Sequence, residues 1–202
     1  MTRLDLTCSL AALACAAAVG LAYAAAPGAA APEFAVADAA GKTVKLSDYR
    51  GKFVVLEWTN PECPFVRKHY GSRNMQDLQK EWGAKDVVWL SVNSTRQDHY
   101  EYKDGAQMQA WMAAQGGAPQ AVLIDATSAT GRAYAAKTTP HMFVIAPDGR
   151  IVYNGAIDDR RSANPADAKL ANNYVRAALT EAKAGKPVSV ASTTPYGCSV
   201  KY

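Results

Sequence analysis

Four short segments of the chain are almost wholly apolar, and they are separated by segments with apolar residues at helical spacing. A continuous apolar run of this length is typical of a strand buried on both faces. The predicted buried strands are 53–59, 86–92, 121–124 and 141–146. The intervening helices are predicted at 63–82, 104–116 and 128–136. Strands that alternate with helices predict an α/β fold around a central sheet.

The two ends of this region add antiparallel pairs and a further helix. Gly41-Lys42 lies between two short extended runs and predicts a hairpin over 33–46, and Pro147-Asp148-Gly149 predicts a tight turn back into a strand at 151–153. Residues 165–184 predict one long amphipathic helix with Leu170 on its apolar face. The sheet is therefore expected to be mixed, with an N-terminal hairpin, a C-terminal helix and an irregular, mobile tail over 187–202.

The N-terminus reads as a secretory signal over residues 1–26. Arg3 supplies a thin basic region, Leu10 to Leu21 an apolar region, and Ala22-Tyr23-Ala24 a small-x-small cleavage site. Residues 27–32 read as a flexible linker before a single domain at 33–186. We therefore expect a periplasmic or secreted protein that has no membrane segment once the signal is removed. An uncleaved anchor or a lipoprotein site at Cys15 is the alternative.

Composition narrows the class of protein. The 202 residues are 49% apolar, enough for one core without a disulfide scaffold. The net charge of +4 includes no basic run, so nucleic acid is not an expected partner. Of four cysteines, signal cleavage would remove Cys8 and Cys15 and leave Cys63 and Cys198 in an oxidising compartment.

Several motifs carry a resemblance to a known family. Cys63-Pro64-Phe65-Val66 opens a helix after a buried strand, Thr139-Pro140 precedes another strand, and the chain ends in Gly197-Cys198-Ser199-Val200-Lys201-Tyr202. Together with Leu46-Ser47-Asp48-Tyr49-Arg50-Gly51-Lys52, these segments resemble the redoxin and peroxiredoxin-like branch of the thioredoxin superfamily. The resemblance implies a thioredoxin-like fold, a cis Pro140 beside the reactive cysteine, and thiol redox chemistry without a cofactor.

The sequence departs from two patterns of that superfamily. Val66 stands where thioredoxins carry the second cysteine of their Cys-x-x-Cys pair. Asn60 and Leu56 stand where peroxiredoxins carry the threonine and proline that help to bind peroxide. A peroxide site of the usual kind is therefore not expected.

Cys63 is the candidate nucleophile, since a thiol at a helix N-terminus faces free backbone N–H groups and the positive end of the helix dipole. Both favour the thiolate. The alternative is a buried inert cysteine. Cys198 then has three interpretations: a resolving cysteine that forms a disulfide with Cys63, a permanent structural disulfide, or a thiol that serves another partner.

Other polar residues are weaker candidates. Glu57 lies in an apolar strand, and is either a buried acid that moves protons near Cys63, as the resemblance implies, or an edge residue in water. His141, with both cysteines, would give a soft copper or zinc site, but the close pairs typical of metal sites are missing and no metal is predicted. His69 and His99 are expected at the surface, and Asp158 and Asp159 receive no role.

The sequence thus predicts a secreted thiol-disulfide redoxin with Cys63, Cys198, Pro140 and Glu57 as catalytic residues. Its expected partners are an external thiol reductant and an oxidised protein or peroxide; no oligomeric state is predicted. The alternatives are a thiol peroxidase with Cys63 as the peroxidatic residue, and a non-catalytic binding module with a structural Cys63–Cys198 disulfide or a copper site.

Overall fold

The computed structural model describes residues 25–202, so most of the predicted signal, residues 1–24, lies outside the described residues. The first two strands of the described chain form the predicted hairpin, in which β1 (Ala35–Ala37) and β2 (Thr43–Lys45) pair antiparallel. A short 3₁₀ helix, Leu46–Tyr49, leads to the sheet. Within residues 25–202, no helix combines the length and the apolar character that crossing a membrane requires.

A five-stranded mixed sheet forms the centre of the molecule, in the order β5-β4-β3-β7-β8. Strands β3 (Phe53–Trp58), β4 (Val87–Asn93) and β5 (Ala121–Ile124) run parallel to one another. Strand β7 (His141–Ile145) pairs antiparallel with β3, and β8 (Ile151–Gly155) pairs antiparallel with β7. Every residue of β4 and β7 is buried, because hydrophobic clusters cover both faces of the sheet. The predicted mixed α/β, thioredoxin-like architecture is confirmed.

Within the described residues, five α-helices flank the sheet: α1 (Pro64–Gly71), α2 (Asn74–Gly83), α3 (Gly105–Ala114), α4 (Ala129–Ala133) and α5 (Tyr174–Lys183). The prediction of one helix over 63–82 was wrong, because Arg73 adopts a left-handed conformation with φ of 64° and separates α1 from α2. The single helix predicted over 165–184 is also two pieces, a 3₁₀ turn at Pro165–Lys169 and then α5. Leu170 lies between them and is 70% exposed, so it does not face the core as predicted.

The predicted flexible linker and the end of the predicted mobile tail are both bonded to the domain. Residues 27–32, the predicted linker, lie alongside the start of β8. Gly28 N donates to Ile151 O at 2.8 Å, and Ala31 N donates to Gly149 O at 2.9 Å. Near the C-terminus, β9 (Cys198–Ser199) pairs antiparallel with β6 (Thr138–Thr139). The tail expected to be mobile is therefore part of a small second sheet, and this pairing brings Cys198 to the Thr139-Pro140 segment.

Candidate functional site

Cys63 is the N-cap residue of α1, as the sequence predicted. Its φ and ψ of −75° and 120° are extended, and Pro64 follows at the first helical position, where no backbone donor is needed. The Cys63 backbone N–H donates to Asn60 O at 3.1 Å, and its carbonyl accepts from Arg67 N at 3.0 Å. The side chain is 1% exposed, and Sγ donates to the Thr139 carbonyl at 2.9 Å.

The loop before Cys63 is fixed by Asn60. Its Oδ1 accepts from the Glu62 backbone N–H at 2.9 Å, and its Nδ2 donates to Glu101 Oε2 at 2.7 Å. Both ends of the amide are therefore engaged in holding the loop. The residue at the position of the peroxiredoxin threonine acts here as a structural side chain.

Thr139 connects the two cysteines. The Thr139–Pro140 peptide bond is cis, as predicted. Thr139 accepts from the Cys63 thiol and is also the direct β-partner of Cys198 in the β6–β9 register. The structure therefore brings three of the predicted site residues together, namely Cys63, Pro140 and Cys198.

The electrostatics of Cys198 distinguish the two thiols. Burial raises the pKa of Cys198 to about 12, with further contributions from its hydrogen bond to Cys63 and from the negative charge that Cys63 can carry. Both thiols are reduced in this structure. With its pKa raised this far, Cys198 keeps its proton at neutral pH.

Glu57 is fully buried in the central strand β3, which settles the choice between a buried and an edge position. Its Oε2 accepts from Trp89 Nε1 at 2.8 Å, Ser91 Oγ at 3.1 Å and Gln79 Nε2 at 3.2 Å, and its Oε1 accepts from Tyr70 OH at 2.9 Å. Burial raises the pKa of Glu57 to about 7, and these four donors oppose that effect. These partners place the carboxyl group in a polar network beneath α1 and α2, and neither cysteine belongs to that network.

A buried polar cluster next to the cysteines was missed by the sequence reasoning. Tyr196 OH donates to Asp158 Oδ1, and accepts from Lys68 Nζ at 3.2 Å and from His69 Nε2 at 3.3 Å. Lys68, His69 and Asp158 are each no more than 1% exposed, so the surface position expected for His69 was wrong. The spacing of Lys68 and His69 after Cys63, and of Tyr196 before Cys198, was the only available signal.

His69 is neutral in this cluster. Burial, and then the charge of Lys68, lower the pKa of His69 to about 3. Asn74 Nδ2 donates to His69 Nδ1 at 2.9 Å, which leaves the ring proton on Nε2, facing the Tyr196 oxygen. The charged pair of the cluster is therefore Lys68 and Asp158, whose Nζ and Oδ2 lie 3.6 Å apart.

Comparison with known proteins identifies the family. The sequence matches the AhpC/TSA family over residues 27–154, which is more than half of the chain. The chain belongs to the AhpC/TSA family. The match includes Cys63 and Pro140 and ends before Cys198, and membership assigns redoxin-type thiol oxidoreductase activity to the chain.

Solved structures agree on the fold. An uncharacterised conserved protein from Geobacillus kaustophilus is 28% identical, with a TM-score of 0.78 over 88% of this chain and 93% of that one. A putative thiol:disulfide interchange protein from Chlorobium tepidum is similar in fold alone, at 23% identity and a TM-score of 0.57 over 76% and 95% of the two chains. The exposed lipoprotein thioredoxin of Streptococcus pneumoniae is 26% identical, with a TM-score of 0.50 over 69% and 96%. No curated protein matches the sequence.

His141 contacts the backbone and an aromatic ring in this AhpC/TSA-family chain. Its Nδ1 accepts from the Lys137 backbone N–H at 3.2 Å, and its ring packs against Phe143 with centroids 4.5 Å apart. Burial, and then the charge of Lys137, lower the pKa of His141 to about 3. Among residues 25–202, no group of three histidine, cysteine or acidic side chains is placed to hold a metal ion.

Proposed function

We propose that this redoxin is an exported thiol-disulfide oxidoreductase in which Cys63 is the nucleophile and Cys198 the resolving cysteine. The observation that carries the proposal is the β6–β9 register, which places Cys198 directly opposite Thr139, whose carbonyl accepts from the Cys63 thiol. A resolving thiol must reach its partner sulfur without unfolding the domain. Here it lies beside that sulfur in the reduced protein.

The reaction proceeds in two exchanges. The Cys63 thiolate attacks one sulfur of a substrate disulfide, forms a mixed disulfide and releases the other sulfur as a thiolate. Cys198 then loses its proton to solvent and attacks Cys63 Sγ, so that the Cys63–Cys198 bond forms and the second substrate thiolate leaves. Two of the causes that raise the pKa of Cys198 are its hydrogen bond to Cys63 and the charge of Cys63. Both are lost once Cys63 is in a disulfide, so the first step prepares the second.

Export rests on two observations. Residues 1–26 have the pattern of a secretory signal, and the Streptococcus pneumoniae relative is described as an exposed lipoprotein. An oxidising compartment would supply the disulfide substrates, and a dithiol protein reductant would regenerate the two thiols. The role that the resemblance implies for Pro140 is to let the adjacent backbone pair with a substrate peptide, and that of Glu57 is to accept or release a proton near Cys63.

A thiol peroxidase is the second candidate, favoured by membership of the AhpC/TSA family. In that reaction the Cys63 thiolate attacks a peroxide oxygen, the other oxygen leaves as water or alcohol after protonation, and Cys198 displaces water from the resulting sulfenic acid. Asn60 argues against it, because its amide is committed to Glu62 and Glu101. A permanent Cys63–Cys198 disulfide in a binding module is the non-catalytic alternative.

The test is single turnover of the purified mature protein with a low-molecular-weight disulfide, followed by thiol trapping and intact mass spectrometry. We expect the parent protein to lose two hydrogens without retaining an adduct. The Cys198→Ser variant retains half of the substrate on Cys63, and the Cys63→Ser variant does not react. Hydrogen peroxide in place of the disulfide tests the second candidate by the same readout.

Two outcomes would overturn the proposal. Full consumption of the disulfide by the Cys63→Ser variant removes Cys63 as nucleophile. A Cys63–Cys198 bond with a reduction potential below about −300 mV belongs to the structural class and favours the binding module.

A further inference from the structure

The last seven residues, 196–202, form what we call the C-terminal strap. Backbone hydrogen bonds hold its second half: Val200 N donates to Lys137 O at 3.1 Å, and Lys201 O accepts from Arg96 N at 2.9 Å. Cys198 and Ser199 pair with Thr139 and Thr138 as β9. The strap is thus fixed to the segment that carries the active-site Thr139, and at Lys201 also to the segment that follows β4.

The N-terminal end of the strap is anchored by Tyr196. Its hydroxyl enters the buried cluster of Lys68, His69 and Asp158, and its ring meets Phe65 edge to face with centroids 5.8 Å apart. A lysine and an aspartate with almost no exposure lose most of their hydration, and this loss is tolerated when a partner satisfies them. Tyr196 is one such partner for both, beside the Arg160 backbone, whose carbonyl accepts from Lys68 and whose N–H donates to Asp158, so the cluster helps to hold the strap closed.

The C-terminal end is anchored by Tyr202. Its hydroxyl donates to Ala136 O at 2.7 Å, and the Arg132 guanidinium lies 4.7 Å from the centre of its ring. A Cβ built on Gly131 would come within 2.6 Å of the Tyr202 ring, so only glycine leaves room for this ring. The strap is therefore closed at both ends, with Cys198 between them.

Gly197 shows how closely the strap lies on the active site. Its φ is 140°, a conformation that favours glycine, and a Cβ built there would overlap the Thr139 carbonyl oxygen. That oxygen is the acceptor of the Cys63 thiol. At this position of the strap, only a residue without a Cβ can approach the Thr139 carbonyl so closely.

The strap occupies the edge that an extended peptide would need. A peptide adds to a sheet by pairing with a free strand edge, and the edge next to Cys63 is β6. Here β6 already pairs with the chain's own Cys198 and Ser199. An external peptide must compete with an intramolecular strand whose effective concentration is on the order of millimolar or higher.

Resting on the function proposed above, we propose that the strap restricts Cys63 to low-molecular-weight disulfides and excludes disulfides carried on an extended peptide. Cys198 is the partly exposed member of the pair, whereas Cys63 is 1% exposed. A small disulfide forms no strand pairing, so it does not have to displace the strap from β6. A peptide needs the strap to leave Thr139, Lys137 and the two tyrosine anchors.

The test compares two disulfide probes in single turnover with the reduced full chain: 2-hydroxyethyl disulfide, and a dye-labelled extended peptide with a disulfide at its central cysteine. We expect the parent protein to react with the small probe at least about tenfold faster than with the peptide. Gly197→Ala forces the strap away from Thr139 and should raise the ratio of the peptide rate to the small-probe rate about tenfold.

Gly185→Ala is the matched control, since Gly185 also has a positive φ, of 71°, but has nothing within 4 Å of the added carbon. Its ratio should equal that of the parent. Tyr202→Ala loosens only the far end of the strap and should raise the ratio in the same direction, which keeps the test decisive if Gly197→Ala does not fold.

Equal rates with both probes in the parent protein, or an unchanged ratio in both strap variants, would overturn the restriction. Neither result affects the proposed function, which instead fails if the Cys63→Ser variant reacts with the small probe as the parent does. The two failures are therefore separated by different variants.

Discussion

Glu57 shows how a single residue links the strand pattern to the chemistry of the interior. Its two neighbours in β3, Leu56 and Trp58, are also fully buried, so the carboxyl group is not exposed to solvent. Four side chains donate to it, and burial still raises the pKa of Glu57 to about 7. The protein therefore holds an acid that changes charge near neutral pH.

The sign of the resulting pH dependence follows from linkage. The pKa of Glu57 is higher in the folded than in the unfolded chain, so the folded state binds more protons between about pH 4.5 and pH 7. The contribution to stability is complete below the unfolded pKa and is lost as the pH rises through the folded pKa. We expect unfolding free energy to fall by up to roughly 3 kcal/mol across this window.

Urea unfolding of the parent protein and of Glu57→Gln at pH 5 and at pH 8 measures this contribution. The glutamine can still accept from Trp89 and Ser91, and its amide can donate to the Tyr70 oxygen. Between pH 5 and pH 8 the parent protein should lose up to roughly 3 kcal/mol of unfolding free energy through Glu57, and the variant should lose little of this amount. An identical pH dependence in both proteins would show that Glu57 keeps an ordinary pKa.

Some residues of the site were readable from the sequence and others were not. Cys63 and Pro140 were found because each follows a local signal, a strand-to-helix junction and an X–Pro bond before a strand. The cluster of Lys68, Asp158 and Tyr196 has no signal beyond the spacing of two of its members from the cysteines, since the three residues come from distant segments and meet only after folding. A lysine in an amphipathic helix normally indicates a solvated face, but this one is buried and donates to Arg160 O and to Tyr196 OH.

The elements of secondary structure were predicted well in the sheet and less well in the helices. Buried runs identified β3, β4, β5 and β7 within a residue or so, because a strand covered on both faces leaves a continuous apolar run. The break at Arg73 was missed because the apolar residues on its two sides belong to the same core cluster. Val66 and Tyr70 precede the break and Met75 and Leu78 follow it, so the sequence pattern shows no interruption.

Helix α3 carries the clearest local signal of its start. Asp104 accepts from the Gln107 backbone N–H at 2.8 Å, and Gln107 Oε1 accepts in return from the Asp104 backbone N–H at 3.0 Å. This capping box satisfies two backbone donors at an exposed helix end. The buried side chains of Met108 and Met112 then hold the helix to the sheet.

Loss of this cap should have a moderate cost. We expect Asp104→Ala to lower the free energy of unfolding by about 1 kcal/mol, because a helix N–H loses its acceptor. Gln107→Ala removes only the reciprocal bond and should cost less. Urea unfolding at neutral pH measures both, and the cysteine chemistry should be unchanged; an unaltered midpoint for Asp104→Ala would contradict a stabilising cap.

At the scale of the whole molecule, the strap connects segments that lie far apart in the sequence. The region that matches the family ends at residue 154, and the strap returns from beyond it to α1 through Tyr196 and to β6 through Cys198. The sequence predicted a tail that can reach the domain surface, but not its attachment, because the pairing partner of Cys198 is a two-residue strand with no apolar pattern. Only the tyrosines at 196 and 202 mark the two anchors.

Closure of the Cys63–Cys198 bond should stabilise the whole domain. The bond closes a loop of about 135 residues, and the entropy removed from the unfolded chain is worth up to about 5 kcal/mol. The reduced protein already holds Cys198 beside Cys63, so oxidation requires little rearrangement of the folded state and most of that gain should be kept. We expect the oxidised protein to exceed the reduced protein in unfolding free energy by about 2–5 kcal/mol.

Urea unfolding with and without a reductant measures this difference, and Cys198→Ser is the control in which it should vanish. By linkage, folding stabilises the disulfide by the same free energy that the disulfide adds to folding. This lowers the reduction potential of the disulfide by about 30 mV for each 1.4 kcal/mol. The strap therefore favours disulfide formation in proportion to how closely its reduced conformation matches the oxidised one. An oxidised protein no more stable than the reduced one would mean that the bond strains the closed strap, and that the strap leaves Thr139 when Cys63 is oxidised.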